Sequence, residues 1–225
     1  MNEIDPRLPK RRVYDQLAQI PKAIASGPRL ELLDLLAQSE KSVDTLARQA
    51  GLSVANASRH LQVLQRAGLA TVRREGRHAW YRIAGDDVQR LVQAVRTVAE
   101  ARSAEMERAL GELHAGDAEP VGLAELRERL AAGDAWLLDV RPADEYVAGH
   151  IPGARSLPID ELEARLAELP EDAAVVAYCR GPYCVFADRA VEALRARGVD
   201  ARRLRDGVPE WRAAHLAVAS GAERG

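Results

Sequence analysis

Cysteine is scarce in this 225-residue chain: there are two, Cys179 and Cys184, and both lie in the stretch Tyr178-Cys-Arg-Gly-Pro-Tyr-Cys184. Two thiols in one loop do not make a disulfide-stapled secreted fold, so the composition points to a reducing compartment, the cytoplasm. Long apolar runs are also missing. Nothing approaches the roughly 20 residues that span a bilayer, and the polar start Met1-Asn-Glu-Ile-Asp-Pro6 is no signal peptide, so no membrane partner is expected. No cysteine precedes Cys179, and residues 86–113 hold no histidine. Soft-metal coordination in the amino-terminal half would need ligands that are absent, and no metal site or cofactor is expected there. His114 stands alone and reads as a linker residue.

The net charge of −2 conceals an asymmetry. Residues 1–85 carry 14 Lys and Arg against 8 Asp and Glu, and the remainder carries 18 against 26. A basic part beside an acidic part suggests different partners, with nucleic acid the natural one for the basic part. The length suits one or two domains. The expected division is a first domain over residues 1–113, a linker over 114–120, a second domain over 121–219 and a tail over 220–225.

Within the second domain, residues 173–177 form a short apolar run that reads as a buried strand. Residues 186–197 follow, with Phe186, Ala190, Val191 and Leu194 at helical spacing. Cys179 therefore sits where a strand hands over to a helix, whose first N–H groups lack partners and stabilise an anion. That position lowers a thiol pKa, and Arg180 adds a positive charge, so a thiolate is expected at Cys179 near neutral pH. A free cysteine is more often a buried filler. The order strand, Cys, Arg, Gly, helix argues against that here, because Gly181 and Pro182 suit a tight loop that curls its amides toward the sulfur. Tyr183 and Cys184 complete the loop. Cys184 is either a resolving thiol that can close a disulfide with Cys179 or the first helical residue packing inward.

Asp139-Val-Arg141, Gly149-His-Ile-Pro-Gly-Ala154, the Cys179 loop and Asp206-Gly-Val-Pro-Glu-Trp211 occur in that order. Together they resemble the rhodanese (sulfurtransferase) family over residues 120–219. The resemblance implies an α/β fold with a parallel sheet and a catalytic cysteine, here Cys179. That residue would take sulfane sulfur from a donor such as thiosulfate or a persulfide, while Arg180 helps to hold an anionic donor. Phosphatases and arsenate reductases of this fold need an arginine six positions after the cysteine to clamp an oxyanion; Val185 stands there instead. Pro182 departs from the family by removing one N–H from the loop. Asp139, Arg141, His150 and Trp211 are expected to be structural.

The basic half reads differently. Residues 13–25 are helical in pattern with an interruption at Pro21, and residues 28–37 form a second helix with Leu30, Leu33, Leu36 and Ala37 inward. Residues 42–50, the turn Gly51-Leu52, and residues 53–67 capped by Ser53 and stopped at Gly68 make a helix-turn-helix. Residues 71–83 then alternate as a hairpin with Glu75-Gly76 at its tip. This is a wing on which Arg73, Arg74 and Arg77 can reach phosphates or a minor groove. With Ser58-Arg-His-Leu61 in the second motif helix and Arg77-His-Ala-Trp-Tyr-Arg82 closing the wing, residues 17–110 resemble the ArsR family of winged-helix repressors. The resemblance implies a homodimer on a two-fold operator of double-stranded DNA. Ser53, Asn56, Ser58, Arg59 and Gln62 would meet bases and phosphates; His60 either joins them or packs. Residues 86–113 read as one long helix whose Val88, Leu91, Val95, Val98 and Leu110 belong to the dimer interface, together with the first helix.

The whole is expected to be a mainly α winged helix-turn-helix domain followed by an α/β rhodanese-like domain. It reads as a DNA-binding regulator in which a persulfide at Cys179 senses or handles reactive sulfur. An enzyme-first alternative is a thiosulfate sulfurtransferase with an accessory DNA-binding domain. Another is a metalloid-responsive repressor that binds a trivalent metalloid through Cys179 and Cys184.

Overall fold

Helices α1 (Leu8–Leu17), α2 (Gln19–Ile24) and α3 (Gly27–Gln38) open the chain. The helix expected over 13–25 is two helices, and Pro21 lies in the first turn of α2, where its missing N–H has no intrahelical partner to lose. Strand β1 (Lys41–Ser42) leads into α4 (Val43–Gln49), which is capped by the Ser42 hydroxyl accepting from the Thr45 N–H at 3.2 Å. After Gly51, at φ +63°, comes α5 (Val54–Arg66), capped by Ser53 accepting from the Asn56 N–H at 3.3 Å. Its buried stripe is Ala57, Leu61 and Leu64, at helical spacing, so the opposite face is left to solvent. Strands β2 (Ala70–Glu75) and β3 (His78–Ile83) form an antiparallel hairpin, and β1 adds to β3 to give the order β1-β3-β2. Glu75 pairs with His78, so the tip is the two-residue turn Gly76-Arg77, with Gly76 at φ +57°.

Helix α6 (Asp86–Arg102) follows, with Val88, Gln89 and Val92 buried. It is succeeded by α7 (Ala104–Leu113). The single helix expected over 86–113 is broken at Ser103, whose backbone turns extended (φ −119°, ψ 112°) while its hydroxyl accepts the Met106 N–H at 3.2 Å. A serine that can cap competes with the helix interior and here starts a new one.

The remaining elements are α8 (Leu123–Ala132), β4 (Trp136–Asp139), α9 (Ala143–Ala148), β5 (Arg155–Ser156), α10 (Leu162–Arg165), β6 (Val175–Tyr178), α11 (Phe186–Arg195), β7 (Ala201–Arg203) and α12 (Val208–Ala213). The four strands are all parallel, in the order β5-β4-β6-β7. Both faces of the sheet are covered. Leu138, Val175 and Ala177 pack with Ala187, Ala190 and Leu194 on one side, and Leu137, Val176 and Tyr178 pack with Leu126 and Trp211 on the other. Strands buried on both faces read as continuous apolar runs, which is why β6 is legible in the sequence.

A computed structural model gives these coordinates and describes residues 8–114, 120–169 and 174–221. Residues 115–119 of the expected linker and 222–225 of the expected tail lie outside the described residues. The chain divides into two compact units, Met1–Gln93 and Ala94–Gly225, so the division falls inside α6. Among the described residues no helix is long and apolar enough to cross a membrane.

A buried polar cluster ties the second unit together at the carboxy end of β4. Arg141 and Asp139 are both fully buried; the guanidinium Nε donates to Asp139 Oδ1 at 2.9 Å and Nη2 donates to the Gly149 carbonyl at 2.8 Å. The Tyr178 hydroxyl donates to Asp139 Oδ2 at 2.6 Å and accepts from the Ile151 N–H at 3.2 Å. His150 stacks on Tyr146 with centroids 3.8 Å apart, and its Nδ1 lies 2.9 Å from the Tyr146 carbonyl. The cluster therefore fixes the end of β6 that delivers Cys179. Asp139→Ala, which strands a buried guanidinium, is expected to lower unfolding stability by about 3–5 kcal/mol in urea. Tyr178→Phe, which loses the hydrogen bond to the Asp139 carboxylate and takes this acceptor from the Ile151 N–H, is expected to cost about 1.5–3 kcal/mol or more. An Asp139→Ala protein as stable as the parent would refute the assignment.

Candidate functional site

Cys179 comes directly after β6 and is 2% exposed; Cys184 lies two residues before α11 and is partly exposed. The Cys179 thiol donates to the Cys184 carbonyl at 3.2 Å. Backbone N–H groups of Gly181 and Ala187 face the Cys179 sulfur, and those of Arg180 and Phe186 face the Cys184 sulfur. Each sulfur thus has two amides, although Pro182 supplies none.

Two glycines make this loop possible. Gly181 sits at φ +142°, and a Cβ there would stand 3.0 Å from Glu210 Oε2. At Gly207, a Cβ would lie 2.6 Å from the Arg180 carbonyl and 2.8 Å from that of Cys179, so the start of α12 can close on the loop only as glycine. Glu210 Oε2 accepts the Gly207 N–H at 2.9 Å and fixes that approach.

The sequence points to Cys179 as the thiolate; in the fold the surroundings shift the two sulfurs in opposite directions. Burial pushes the Cys179 thiol well up, reinforced by the neighbouring Cys184, and the Ala187 and Gly181 amides only partly oppose it. Cys184 is pulled down to about 7, chiefly by the hydrogen bond from the Cys179 thiol, with burial opposing and the Arg180 and Phe186 amides and the Arg180 charge assisting. The helix start and the cation are present as expected. Burial outweighs them at Cys179, whereas Cys184 is less enclosed.

Arg180 is also placed differently from the expectation that it faces an anionic donor. Its Nε lies 3.0 Å from each Glu145 oxygen and its Nη2 lies 2.7 Å from Oε1, with Glu145 fully buried on α9. The guanidinium stands 5.4 Å over the Phe186 ring. His114, read as a linker residue, is instead a structural contact: Nδ1 lies 3.0 Å from Asp188 Oδ2 and Nε2 lies 2.7 Å from the Pro182 carbonyl. The Tyr183 hydroxyl donates to Glu100 at 2.7 Å, and Arg96 pairs with Glu210 at 3.1 Å while covering the Tyr183 ring at 4.8 Å. Sequence reasoning missed these partners. His114 and Glu100 are separated from their loop partners by 68 and 83 positions, and no local spacing rule brings them together.

In the first unit, Asn56, Arg59 and Gln62 are exposed on the face of α5 opposite its buried stripe, while Ser58 and His60 are partly buried. The Ser53 hydroxyl is occupied as a cap, and Ser58 accepts from Gln62 at 3.4 Å. On the wing, Arg74 and Arg77 are exposed, whereas Arg73 is held by Glu40 at 2.9 Å and Glu75 at 2.7 Å. A cleft of about 440 Å³ runs between the two elements, with Gln62 and Arg66 on one wall and Arg74 and Tyr81 on the other. Among the described residues no three His, Cys, Asp or Glu side chains are grouped as metal ligands.

The ionisation order has a direct test. At pH 7.5, iodoacetamide should label Cys184 before Cys179, with a midpoint near 7 read from peptide mass spectra over a pH series. Cys184→Ser should leave a Cys179 thiol that reacts slowly and only at alkaline pH. Faster labelling of Cys179 in the parent protein would contradict the assignment.

A family model described as "Rhodanese-like domain" matches residues 122–214, and one described as "Helix-turn-helix domain" matches residues 24–73. The chain is 47% identical over 216 residues to an HTH-type transcriptional regulator of Mycobacterium tuberculosis, covering 96% of each. It is 54% identical over 46 residues to the thiosulfate:glutathione sulfurtransferase of Homo sapiens, which is 20% of this chain and 40% of that protein. Among solved structures it is similar to the homodimeric winged helix-turn-helix domain of a possible ArsR-family regulator from Mycobacterium bovis. That match has 43% identity and a TM-score of 0.41, and covers 47% of this chain and 95% of that one. The mycobacterial likeness spans nearly the whole length of both proteins, and both domain models fall in the order that the motifs and the fold require. The chain belongs to the family of ArsR-like winged helix-turn-helix transcriptional regulators that carry a carboxy-terminal rhodanese-like domain.

Proposed function

We propose that this regulator binds a two-fold operator as a cytoplasmic homodimer, and that a persulfide formed at Cys179 and resolved by Cys184 changes that binding. Residues 1–113 would carry DNA binding and dimerisation, and residues 121–219 the sulfur chemistry. The observation that carries the reading is the pair of cysteines in one loop, with the Cys179 thiol donating to the Cys184 carbonyl, on the same chain as a winged helix.

The chemistry follows from the pair. The Cys184 thiolate takes the Cys179 proton as the Cys179 sulfur attacks the sulfane sulfur of a hydropersulfide, RSSH. The donor S–S bond breaks, RS⁻ leaves, and Cys179 holds the new S–S bond as a persulfide. Cys184, after losing its proton, then attacks the Cys179 sulfur. The terminal sulfur leaves as HS⁻ and a Cys179–Cys184 disulfide remains. The sulfane sulfur is reduced to sulfide and the two thiols are oxidised, so no further oxidant is needed. A hydropersulfide suits the loop better than thiosulfate, because a dianion would have to open the Arg180–Glu145 pair to find its cation.

On the DNA side, Asn56, Arg59 and Gln62 on α5 reach base edges and phosphates, and Arg74 and Arg77 on the wing neutralise phosphates. Ser53, Ser58, His60 and Arg73 act through caps and ion pairs or at the margin of that surface. Val13, Tyr14 and Leu17 on α1 are 66%, 60% and 63% exposed, and Val98 on α6 is 62% exposed. Such large apolar side chains are the material of a second-copy interface.

Mobility shifts on the promoter nearest the gene test the reading. Treatment with a hydropersulfide should change operator affinity at least about tenfold in the parent and leave Cys179→Ser unmoved, a difference of about 1.4 kcal/mol. Mass spectra should register one added sulfur and then a Cys179–Cys184 disulfide. A Cys179→Ser protein that responds like the parent would end this reading. Separately, Arg74→Ala and Arg77→Ala should each weaken binding evenly across operator sequences and lower the salt slope by about 1.

A further inference from the structure

Two residues of the loop between the cysteines are gripped from one segment of chain. Arg96 and Glu100, one turn apart on α6 and so on one face, meet Tyr183: Arg96 covers its ring at 4.8 Å and Glu100 accepts its hydroxyl at 2.7 Å. Arg96 also pairs with Glu210, whose carboxylate lies against Gly181, and the two side chains are only 13% and 15% exposed. His114, at the end of α7, lies 2.7 Å from the Pro182 carbonyl and 3.0 Å from Asp188, which in turn pairs with Arg203 at 3.0 Å. All of these residues lie in the second unit, which begins at Ala94. The helix that bears Arg96 and Glu100 starts in the first unit, where its Val88, Gln89 and Val92 are buried.

We propose that Arg96, Glu100 and His114 are positioning residues that hold the cysteine loop in its reduced shape, and that α6 is the element through which a change in that loop reaches the DNA-binding unit. The second half of this inference rests on the sulfur-responsive reading above; the first half stands without it. The geometry supplies the reason. Pro182 and Tyr183 lie between the two sulfurs and move when these are joined, and each is in contact with this set of side chains. Joining the sulfurs therefore loosens the grip, and by linkage loosening the grip favours joining the sulfurs.

The test uses the full-length protein with Arg96→Ala, Glu100→Ala, His114→Ala and the conservative Arg96→Lys. Thermal melts confirm that each is folded. With the loop released, the thiol pair is no longer held together, so Cys184 should lose its early ionisation. Its alkylation rate at pH 7 should fall at least about threefold in Arg96→Ala and Glu100→Ala, and Arg96→Lys should recover part of it. In the same variants the ratio of operator affinities between the reduced and hydropersulfide-treated forms should collapse to within about twofold, while Cys179 still takes up sulfur by mass spectrometry. Unchanged alkylation at pH 7 in all three alanine variants would overturn the positioning role. A persulfide response that survives in them intact would overturn the transmitting role. If the parent itself shows no response to sulfur while the variants alter alkylation, the regulatory reading falls and the positioning role stands.

Discussion

The hydrogen bond from the buried Cys179 thiol to the Cys184 carbonyl governs this site. A thiolate at the base of a closed loop is disfavoured by burial, and the amides of Gly181 and Ala187 do not overcome that at Cys179. Cys184 receives the same kind of amide support from Arg180 and Phe186, is less enclosed, and gains the hydrogen bond that Cys179 donates. The surroundings therefore favour a thiolate at Cys184 over one at Cys179. Cys179 becomes a nucleophile only as its proton crosses to Cys184, so the two residues act together or not at all.

The same economy of charge runs through the surroundings. Arg180 faces Glu145, Arg96 faces Glu210, Arg203 faces Asp188, and Arg141 faces Asp139. Desolvating a charge costs several kcal/mol, and these pairs recover much of that only with good geometry, so opening one to admit an anion is unfavourable. A loop built this way favours a donor of low charge. It also gives each ion pair a second duty, because Glu210 at once closes α12 on the loop and anchors Arg96.

What was legible in the sequence is what is encoded locally. Ser42 and Ser53 mark helix starts, Gly51 and Gly68 mark turns at positive φ, and the run before Cys179 marks a strand buried on both faces. The glycine of Asp206-Gly-Val-Pro is explained by the backbone it passes, a contact that the motif signals but whose cause only the fold reveals. The ionisation order of the thiols was not legible, because it depends on which sulfur the core encloses. Arg180 was misjudged for the same reason: its neighbour in sequence is Cys179, but its partner is Glu145, 35 positions earlier. His114 looked like a linker because nothing near it in sequence gives an imidazole a task.

The break at Ser103 is the least conspicuous of these features and the most consequential. An uninterrupted helix from Asp86 would rise about 1.5 Å per residue, which sets Arg96 and His114 roughly 27 Å apart along one axis. Yet the two side chains touch adjacent loop residues, Tyr183 and Pro182, whose Cα atoms can be only about 3.8 Å apart. Both contacts can exist only if the chain turns back between them, and the Ser103 cap is where it does so. A serine with its hydroxyl on the Met106 amide thus converts a straight rod, suited only to packing along its length, into a bent segment that closes on the thiol loop from two directions. The stiff half that remains, α6, is continuous from the first unit into the second, so any shift of Arg96 or Glu100 is borne by a helix and not absorbed by a loop.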